Sequence, residues 1–392
     1  MPRVFPFVAL TFDRGAGPLD RLTAPPYDVI SGSRRAAVGD ASPHNIVHVD
    51  LAEGDDDPAV PDSRYARAAG LLRAWREEAV LRATDEPVYL AYEMRFELAG
   101  KTRQIRGVLC AMELEPWGGR VLPHEETMPG PVEDRLQLLR ATRTHLSPVY
   151  GTVAGPCPPL AELLEGVARQ PAPFDVTDDE GVQHRMWPLD GSATIDAWVA
   201  GEPLLIADGH HRYTTALAYR DERRRVDGAG PWDRILTLLV DAGTQDVPVL
   251  PYHRMQVRGE TAPGRRPVAD LGAMLDTLDD GAGRYGTATQ NTDGAVRYAV
   301  DEIRGGPPTV RSLHLEVLDG RSPGDALRFT HDAADADAAV RRGDARAAYF
   351  LPATTPERIR AVVERGDRLP RKSTFFWPKP RTGMVLMPLD ER

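Results

Sequence analysis

The segment Pro203–Arg220 places the tightest constraint on how this chain can fold. Its sequence, PLLIADGHHRYTTALAYR, runs from four apolar residues through a polar turn into apolar residues at helical spacing. This pattern predicts a buried strand, a turn at 208–212 and a helix from Tyr213. The first N–H groups of a helix lack partners within it, and Gly209 lets the backbone approach a ligand, so such a turn is typical of an anion site. Arg212 adds a permanently charged, forked donor, and the segment therefore predicts phosphate binding.

Two interpretations of this polar turn are open. Asp208 could simply cap the helix that follows, because Asp-Gly turns before helices are common. The adjacent imidazoles of His210 and His211 beside Arg212 are harder to explain by packing, since polar groups buried without partners cost stability. The density of polar groups therefore favours a functional site.

Composition excludes some classes of protein. The chain has 392 residues and a net charge of −10, which argues against broad nucleic-acid binding because that needs a basic footprint. Cys110 and Cys157 lie in unlike contexts and form no metal-type pair, so free thiols in a reducing, cytoplasmic location are expected. No signal segment and no apolar run long enough to span a membrane is evident, so no membrane association is expected.

The mixture of predicted elements indicates an α+β protein rather than a regular parallel sheet. A helix is predicted over 63–82, with Ser63 as its N-cap, and a β-hairpin is predicted around the turn at 99–101. The apolar patterns at 45–51 and 313–318 predict two further strands.

A stretch of Gly, Pro and Arg residues at 262–267 marks the best domain boundary. It divides the chain into a core of residues 1–261, with an N-terminal extension, and a smaller α/β region of residues 268–392. The segment 372–379 at the end of this region could pack back and complete the binding pocket.

A second group of candidate residues precedes a charged helix. His124 lies beside Glu125 and Glu126, and a carboxylate next to an imidazole suits general-base chemistry or Mg²⁺ coordination through one carboxylate. A solvated acidic loop with a helix cap is an equal alternative. The spacing is not that of a zinc protease.

Two further sets of polar residues lie nearer the C-terminus. Lys372 precedes the hydroxyl residues Ser373 and Thr374 and could bind phosphate with them, but no glycine-rich loop precedes it, so it is not a P-loop. His253 and Arg254 follow a strand break, where a charge pair on an edge strand is as good an explanation as a binding role.

Five separated motifs resemble those of the bacterial DUF1015 family. They are APPYDVI, PHEETMPGPVEDRLQLL, DGHHRYTTALAYR, LPYHRMQV and KSTFFWPKPRTGMVL. The resemblance extends over nearly all of Phe5–Asp390. Tyr27 and Asp28, in the first of these motifs, are candidate substrate-binding residues. The same role is assigned to His124, His253 and Arg254.

A more distant similarity is to the ParB/sulfiredoxin superfamily, which includes free serine kinases. It implies an α+β fold of mixed sheets with a ParB/sulfiredoxin-like core, in which a short box at a helix start holds nucleotide phosphates. His210 stands where sulfiredoxin has its cysteine, so thiol chemistry is not implied. The similarity implies phosphate binding by His211, Arg212 and the helix start. It also implies an acidic base from another segment, for which Glu125 and Glu126 are both candidates.

Together these implications lead to a hypothesis of phosphoryl transfer involving a small hydroxylated metabolite, with free serine or phosphoserine first. Arg212 and the amides after Gly209 would hold the phosphates of ATP or ADP. Asp208 would bind Mg²⁺ or orient His210, which could itself become transiently phosphorylated. His211 would donate to the transferred group, and Lys372 would add positive charge.

The sequence leaves three other functions open. A phosphatase acting on phosphoserine would need nearly the same site, with water replacing the acceptor. A regulatory protein could bind nucleotide without turning over a metabolite. A degenerate scaffold, which has lost its activity, is the third, and the density of polar groups in the turn makes it the least favoured. In the first two cases the expected partner is a small phosphate-bearing ligand.

Overall fold

The chain folds as a mixture of helices and several β-sheets, as the order of elements predicts. The structure is a computed structural model that describes residues 2–125, 129–200, 203–291, 294–303, 308–318 and 326–390. It divides into two compact units, which we call the first unit (Met1–Pro123, Thr127–Asp246 and Pro378–Arg392) and the second unit (His124–Glu126 and Val247–Trp377). The division into domains of residues 1–261 and 268–392 stays a prediction.

The first unit is built on one large mixed sheet. Among the described residues nine strands take part, and the strand Leu204–Asp208 pairs in parallel with Val121–Pro123 and antiparallel with Val149–Val153. Along the sheet the order is Val121–Pro123, Leu204–Asp208, Val149–Val153, Arg234–Asp241, Lys101–Glu113, Tyr89–Leu98, Gln183–Leu189 and Phe174–Thr177, with Val4–Phe5 beside Lys101–Glu113. Two small sheets pair Leu10–Phe12 with Leu81–Ala83, and Thr144–His145 with Met387–Pro388.

Helices of the first unit surround these strands. The α-helices are Leu19–Leu22, Gly32–Asp40, Val47–Asp50, Arg64–Glu77, Pro129–Thr142, Pro158–Ala168, Ser192–Val199 and His210–Asp227, and short 3₁₀ turns lie at Arg14–Ala16, Tyr27–Val29 and Pro231–Asp233. Leu204, Leu205 and Ile206 are fully buried, as expected for an inner strand covered on both faces. Burial of each such side chain contributes about 1.5–3 kcal/mol, so the core holds this strand, and the turn that follows it, in place.

The second unit has its own antiparallel sheet. Its strands follow the order Arg266–Val268, Val296–Glu302, Arg284–Gln290, Ala347–Phe350, His253–Gln256 and Leu327–Thr330. A separate pair joins Val249–Pro251 to Thr374–Phe376. Its helices are Leu271–Leu275, Thr309–Leu313, Ala333–Arg341 and Pro356–Val363, with a π-helical turn at His314–Leu318.

Several local predictions are confirmed. Ser63 caps the helix Arg64–Glu77, accepting a hydrogen bond from the Ala66 amide at 3.3 Å, although the helix ends five residues before Arg82. The hairpin turns at Ala99–Gly100, where both residues have positive φ (52° and 70°), as a two-residue turn of the primed type requires.

Two predicted strands are wrong. Residues 45–51 contain the helix Val47–Asp50, which begins where the Asn45 side chain accepts from the Val47 amide at 2.9 Å and donates to the Arg21 carbonyl at 2.7 Å. Residues 313–318 continue the helix that starts at Thr309, whose amide is held by Asp280 at 2.6 Å. In both segments a short apolar run fits a buried helix as well as a strand, and distant polar contacts decide between them.

Candidate active site

The strand, turn and helix at residues 204–227 form as the sequence predicts, with one shift. The helix starts at His210 rather than Tyr213, so both histidines and Arg212 lie in its first turn. Its N-cap is Gly209, in the left-handed conformation with φ of 94°. A Cβ atom there would lie 3.1 Å from Nη2 of Arg212, so glycine both adopts this backbone and leaves room for the guanidinium to fold against the turn.

Two cations converge on Asp208 at this turn. One carboxylate oxygen lies 2.6 Å from Nη2 of Arg212, and the other lies 2.6 Å from Nζ of Lys379. Lys379 also pairs with Asp28, at 2.9 Å. Arg212 donates in addition to the hydroxyl of Ser147 at 2.8 Å and to the Pro148 carbonyl. The start of the helix is therefore lined by two fixed positive charges, which their carboxylate partners hold in place.

The two histidines differ in surroundings. The ring of His210 is nearly parallel to Trp117, with centroids 6.0 Å apart, and is buried. Trp117 in turn packs on Tyr213, whose hydroxyl donates to the Glu115 carbonyl at 2.8 Å. His211 is half-buried in the same helical turn. His210 thus contributes to the packing that anchors the helix start.

A small cavity of about 50 Å³ adjoins Arg212. Its other charged lining residues are Asp50 and Arg135, which lie 2.8 Å apart, and Arg135 sits over the ring of Tyr27 at 4.6 Å. The remaining lining residues are Leu138, Leu139, Thr144, His145, Leu146, Ser147 and Thr215. Among the candidate residues, the first unit therefore brings together Tyr27, Asp28 and the whole polar turn.

Burial controls the charge of the groups around this cavity. Burial, with the nearby Asp28 carboxylate, raises the pKa of Tyr27 to about 12. Burial also raises the pKa of Asp50, although the charges of Arg135 and Arg212 oppose it. Burial lowers the pKa of His145 to about 4. The cavity therefore places one carboxyl group of raised pKa beside two arginines and a neutral imidazole.

Sequence reasoning missed three charged residues around the helix start and the adjoining cavity: Asp50, Arg135 and Lys379. Arg135 and Lys379 lie inside motifs that were singled out for other residues, so those motifs were a usable signal. Asp50 lies in the segment that was assigned to a strand, and nothing in its local sequence marks it as a site residue.

The His-Glu loop and the Lys-Ser-Thr segment meet within the second unit. The carboxylate of Glu125 accepts from the amides of Lys372, Ser373 and Thr374 at 3.2, 3.0 and 3.0 Å, and from the Thr374 hydroxyl at 2.9 Å. His124 lies 2.6 Å from that hydroxyl through Nε2. The segment predicted to bind a phosphate thus holds an anion, but in this structure the anion is a carboxylate of the chain itself. Glu126 lies outside the described residues.

His253 and Arg254, for which a substrate-binding role stays a prediction, are buried side chains of the second unit. His253 accepts from the Leu351 amide at 3.2 Å. Arg254 donates to His314 at 3.2 Å and to the Tyr252 carbonyl. Burial lowers the pKa of Arg254 to about 9, with the charge of Glu125 acting in the opposite sense.

The buried His253 predicts a loss of stability in acid. Burial, and next the charge of Arg254, lowers its pKa to about 4, whereas an unfolded histidine titrates near 6.5. Since the unfolded chain binds the extra proton first, the stabilisation is complete above about pH 6.5 and is lost as the pH falls to about 4. We expect His253→Asn, which keeps an acceptor at the Nδ1 position, to flatten the decline of unfolding free energy between pH 7 and 4.5. The slope attributable to one such proton is at most about 1.4 kcal/mol per pH unit. Equal slopes in urea titrations of both proteins would contradict this assignment.

The donor set does not fit a resident Mg²⁺ ion at Asp208. Both of its carboxylate oxygens are engaged by cations, Arg212 and Lys379. Within the part of the chain that the structure describes, no three His, Cys, Asp or Glu side chains cluster as metal ligands would.

No described helix is long and apolar enough to cross a bilayer.

Several solved structures are similar to this chain. A free serine kinase in complex with AMP is 15% identical, with 71% of this chain and 92% of that chain covered at a TM-score of 0.36. SbnI with a C-terminal truncation, from Staphylococcus aureus, is 10% identical, with coverages of 72% and 90% and a TM-score of 0.36. A conserved hypothetical protein from Pyrococcus furiosus is 15% identical, with coverages of 70% and 92% and a TM-score of 0.35.

The family resemblance has direct support. No curated protein matches the sequence. The model of the family described as "Protein of unknown function (DUF1015)" matches residues 4–265, which include the strand, polar turn and helix described above and the loop that carries Tyr27 and Asp28. The chain therefore belongs to the DUF1015 family.

Proposed function

We propose that this protein is a phosphoryl-transfer enzyme acting on a small hydroxylated metabolite, with free serine or phosphoserine as the first substrates to test. The observation that carries the proposal is the convergence of Arg212 and Lys379 on a helix start capped by a left-handed glycine. Helix starts bind anions through their N–H groups and dipole, and forked guanidinium donors match phosphate oxygens. A phosphate group could accept from all of these donors together.

In this proposal the phosphates of ATP or ADP lie against the amides that follow Gly209. Arg212 and Lys379 neutralise their charge, and Asp208 holds both cations in position when no phosphate is bound. His211, in the first helical turn, donates to the transferred group. Phosphoryl transfer depends mainly on positioning and charge neutralisation, which these groups supply. Mg²⁺ would arrive with the nucleotide, as is usual for phosphate-bound Mg²⁺.

The proposal extends to the fold around the site. The sequence similarity to the ParB/sulfiredoxin superfamily supports a core of that type within residues 1–261. The strand Leu204–Asp208 leading into a phosphate-binding helix start is the feature of the first unit that fits it. The C-terminal region would then be an addition to that core.

The test is direct. The purified protein is incubated with serine, Mg²⁺ and labelled ATP or ADP, and separately with phosphoserine alone, and products are followed by ³¹P NMR. Phosphoserine formed from serine identifies a kinase, and phosphate released from phosphoserine identifies a phosphatase. Homoserine, threonine and glycerol extend the acceptor panel. Absence of turnover with every acceptor, by a folded protein, overturns the proposal. Nucleotide binding in a thermal-shift assay without turnover would instead identify a regulatory nucleotide-binding protein.

A further inference from the structure

The Asp50 carboxyl group has an unusual combination of contacts. It is 95% buried, and its Oδ1 accepts from Nη1 of Arg135 at 2.8 Å. The same nitrogen also donates to the Asp50 carbonyl, at 2.9 Å. No described residue hydrogen-bonds to Oδ2. A buried carboxylate oxygen without a partner costs stability, so a purely structural ion pair is expected to satisfy both oxygens.

Asp50 lies in the wall of the same cavity as Arg212. That cavity, of about 50 Å³, has room for about three or four water-sized groups. It is too small for a nucleotide, but it can take the hydroxyl end of a small metabolite. Arg212 lines this cavity and also lies at the helix start. A hydroxyl bound in the cavity would therefore lie next to the proposed phosphate site.

We propose that Asp50 is the general base of the reaction, an inference that rests on the proposed function. The acceptor hydroxyl binds in the cavity and transfers its proton to the carboxylate of Asp50. Its oxygen forms a bond to the terminal phosphorus of the nucleoside polyphosphate. The bond from that phosphorus to the bridging oxygen breaks, and its electron pair leaves with the shortened nucleotide. Arg135 holds Oδ1 and so fixes the carboxylate in the cavity wall.

The charged groups around Asp50 support this role. Burial raises its pKa, Arg135 and Arg212 oppose that effect, and Asp134 and Asp28 add to it. A base with a raised pKa accepts a proton more readily at neutral pH than an ordinary aspartate. Between about pH 5 and 8 the other titratable groups of the cavity wall keep one protonation state, since the pKa of His145 is about 4 and that of Tyr27 about 12.

The alternative is that Asp50 only anchors Arg135. Asp134 provides the matched control, because it contacts the same guanidinium at 2.6 Å but does not line the cavity. If anchoring were the whole role, loss of either carboxylate would affect turnover similarly.

The experiment compares Asp50→Asn with Asp134→Asn, using serine and ATP or ADP. Removal of a general base typically lowers the rate by about 10²–10⁴-fold, so we expect such a loss in kcat for Asp50→Asn with nucleotide affinity unchanged. Asp134→Asn is expected to stay within about threefold of the wild type. Retained turnover in Asp50→Asn, or an equal loss in both variants, overturns the role of Asp50.

The pH profile of the wild-type protein tests the same step without a variant. If Asp50 must be ionised, kcat/KM rises with pH through a limb whose midpoint lies above the usual aspartate value of about 3.9. A flat profile from pH 4.5 to 8 would overturn the role of Asp50, even if Asp50→Asn did not fold. Absence of phosphoryl transfer by the wild type with all acceptors overturns the proposed function and this step together. Retained turnover in the variant overturns this step alone.

Discussion

Arg212→Ala is expected to weaken binding of ATP or ADP by about 10- to 100-fold. Hydrogen bonds from a charged donor contribute about 1.5–3 kcal/mol, and each 1.4 kcal/mol is a tenfold change in affinity. The substitution removes the donor nearest the left-handed Gly209, while Lys379 can still pair with Asp208. Titration calorimetry with each nucleotide, and with pyrophosphate, measures the effect.

Two variants serve as controls for this result. Arg212→Lys keeps the charge but loses the fork, so an intermediate loss is expected. Arg223→Ala removes an arginine further along the same helix, where it pairs with Asp227, and its nucleotide affinity should match the wild type. If Arg212→Ala bound nucleotide as tightly as Arg223→Ala does, the helix start would not be a phosphate site.

Glu125→Ala is expected to lower the free energy of unfolding of the second unit by about 2–4 kcal/mol. The carboxylate satisfies three amides and one hydroxyl of residues 372–374 and is mostly buried. Its removal leaves these donors without their acceptor, and each buried donor so orphaned costs about 1–3 kcal/mol unless water replaces the carboxylate. Buried Arg254 also loses a stabilising negative charge.

Urea unfolding followed by hydrogen exchange locates this loss within the second unit. Glu364→Ala, at an exposed helix end of that unit, should change the unfolding free energy by less than about 0.5 kcal/mol. A Glu125→Ala protein of unchanged stability that had lost phosphoryl transfer would contradict the structural role and favour Glu125 as the base. That outcome would also count against Asp50.

Predictions from sequence held where the signal was local. The hairpin at Ala99–Gly100 follows from alternating apolar residues around a turn, and Ser63 caps its helix because its side chain reaches the amide three residues ahead. Asp208–Arg212 was recognisable for the same reason, since strand, turn and helix start are adjacent in sequence.

Predictions failed where contacts between distant segments decided the outcome. The apolar pattern of 45–51 does not reveal that Asn45 bonds to Arg21, so the helix there was missed. The alternative of a charge pair on an edge strand fails for His253 and Arg254, because their strand lies between two others of its sheet and both side chains are buried. Residues 372–374 were predicted to bind phosphate, and the anion that their amides hold in the structure is Glu125, about 250 positions away in sequence.

The sequence by itself determined the α+β class, the family and the polar turn that opens the helix at His210, because these depend on neighbouring residues. Only the tertiary structure brings Lys379 to Asp208. It also buries the pair of Asp50 and Arg135 in the wall of the cavity that Arg212 lines. Long-range packing sets which charges lose water and which carboxylate faces which cation. A site made of such charges therefore becomes visible only once the chain has folded.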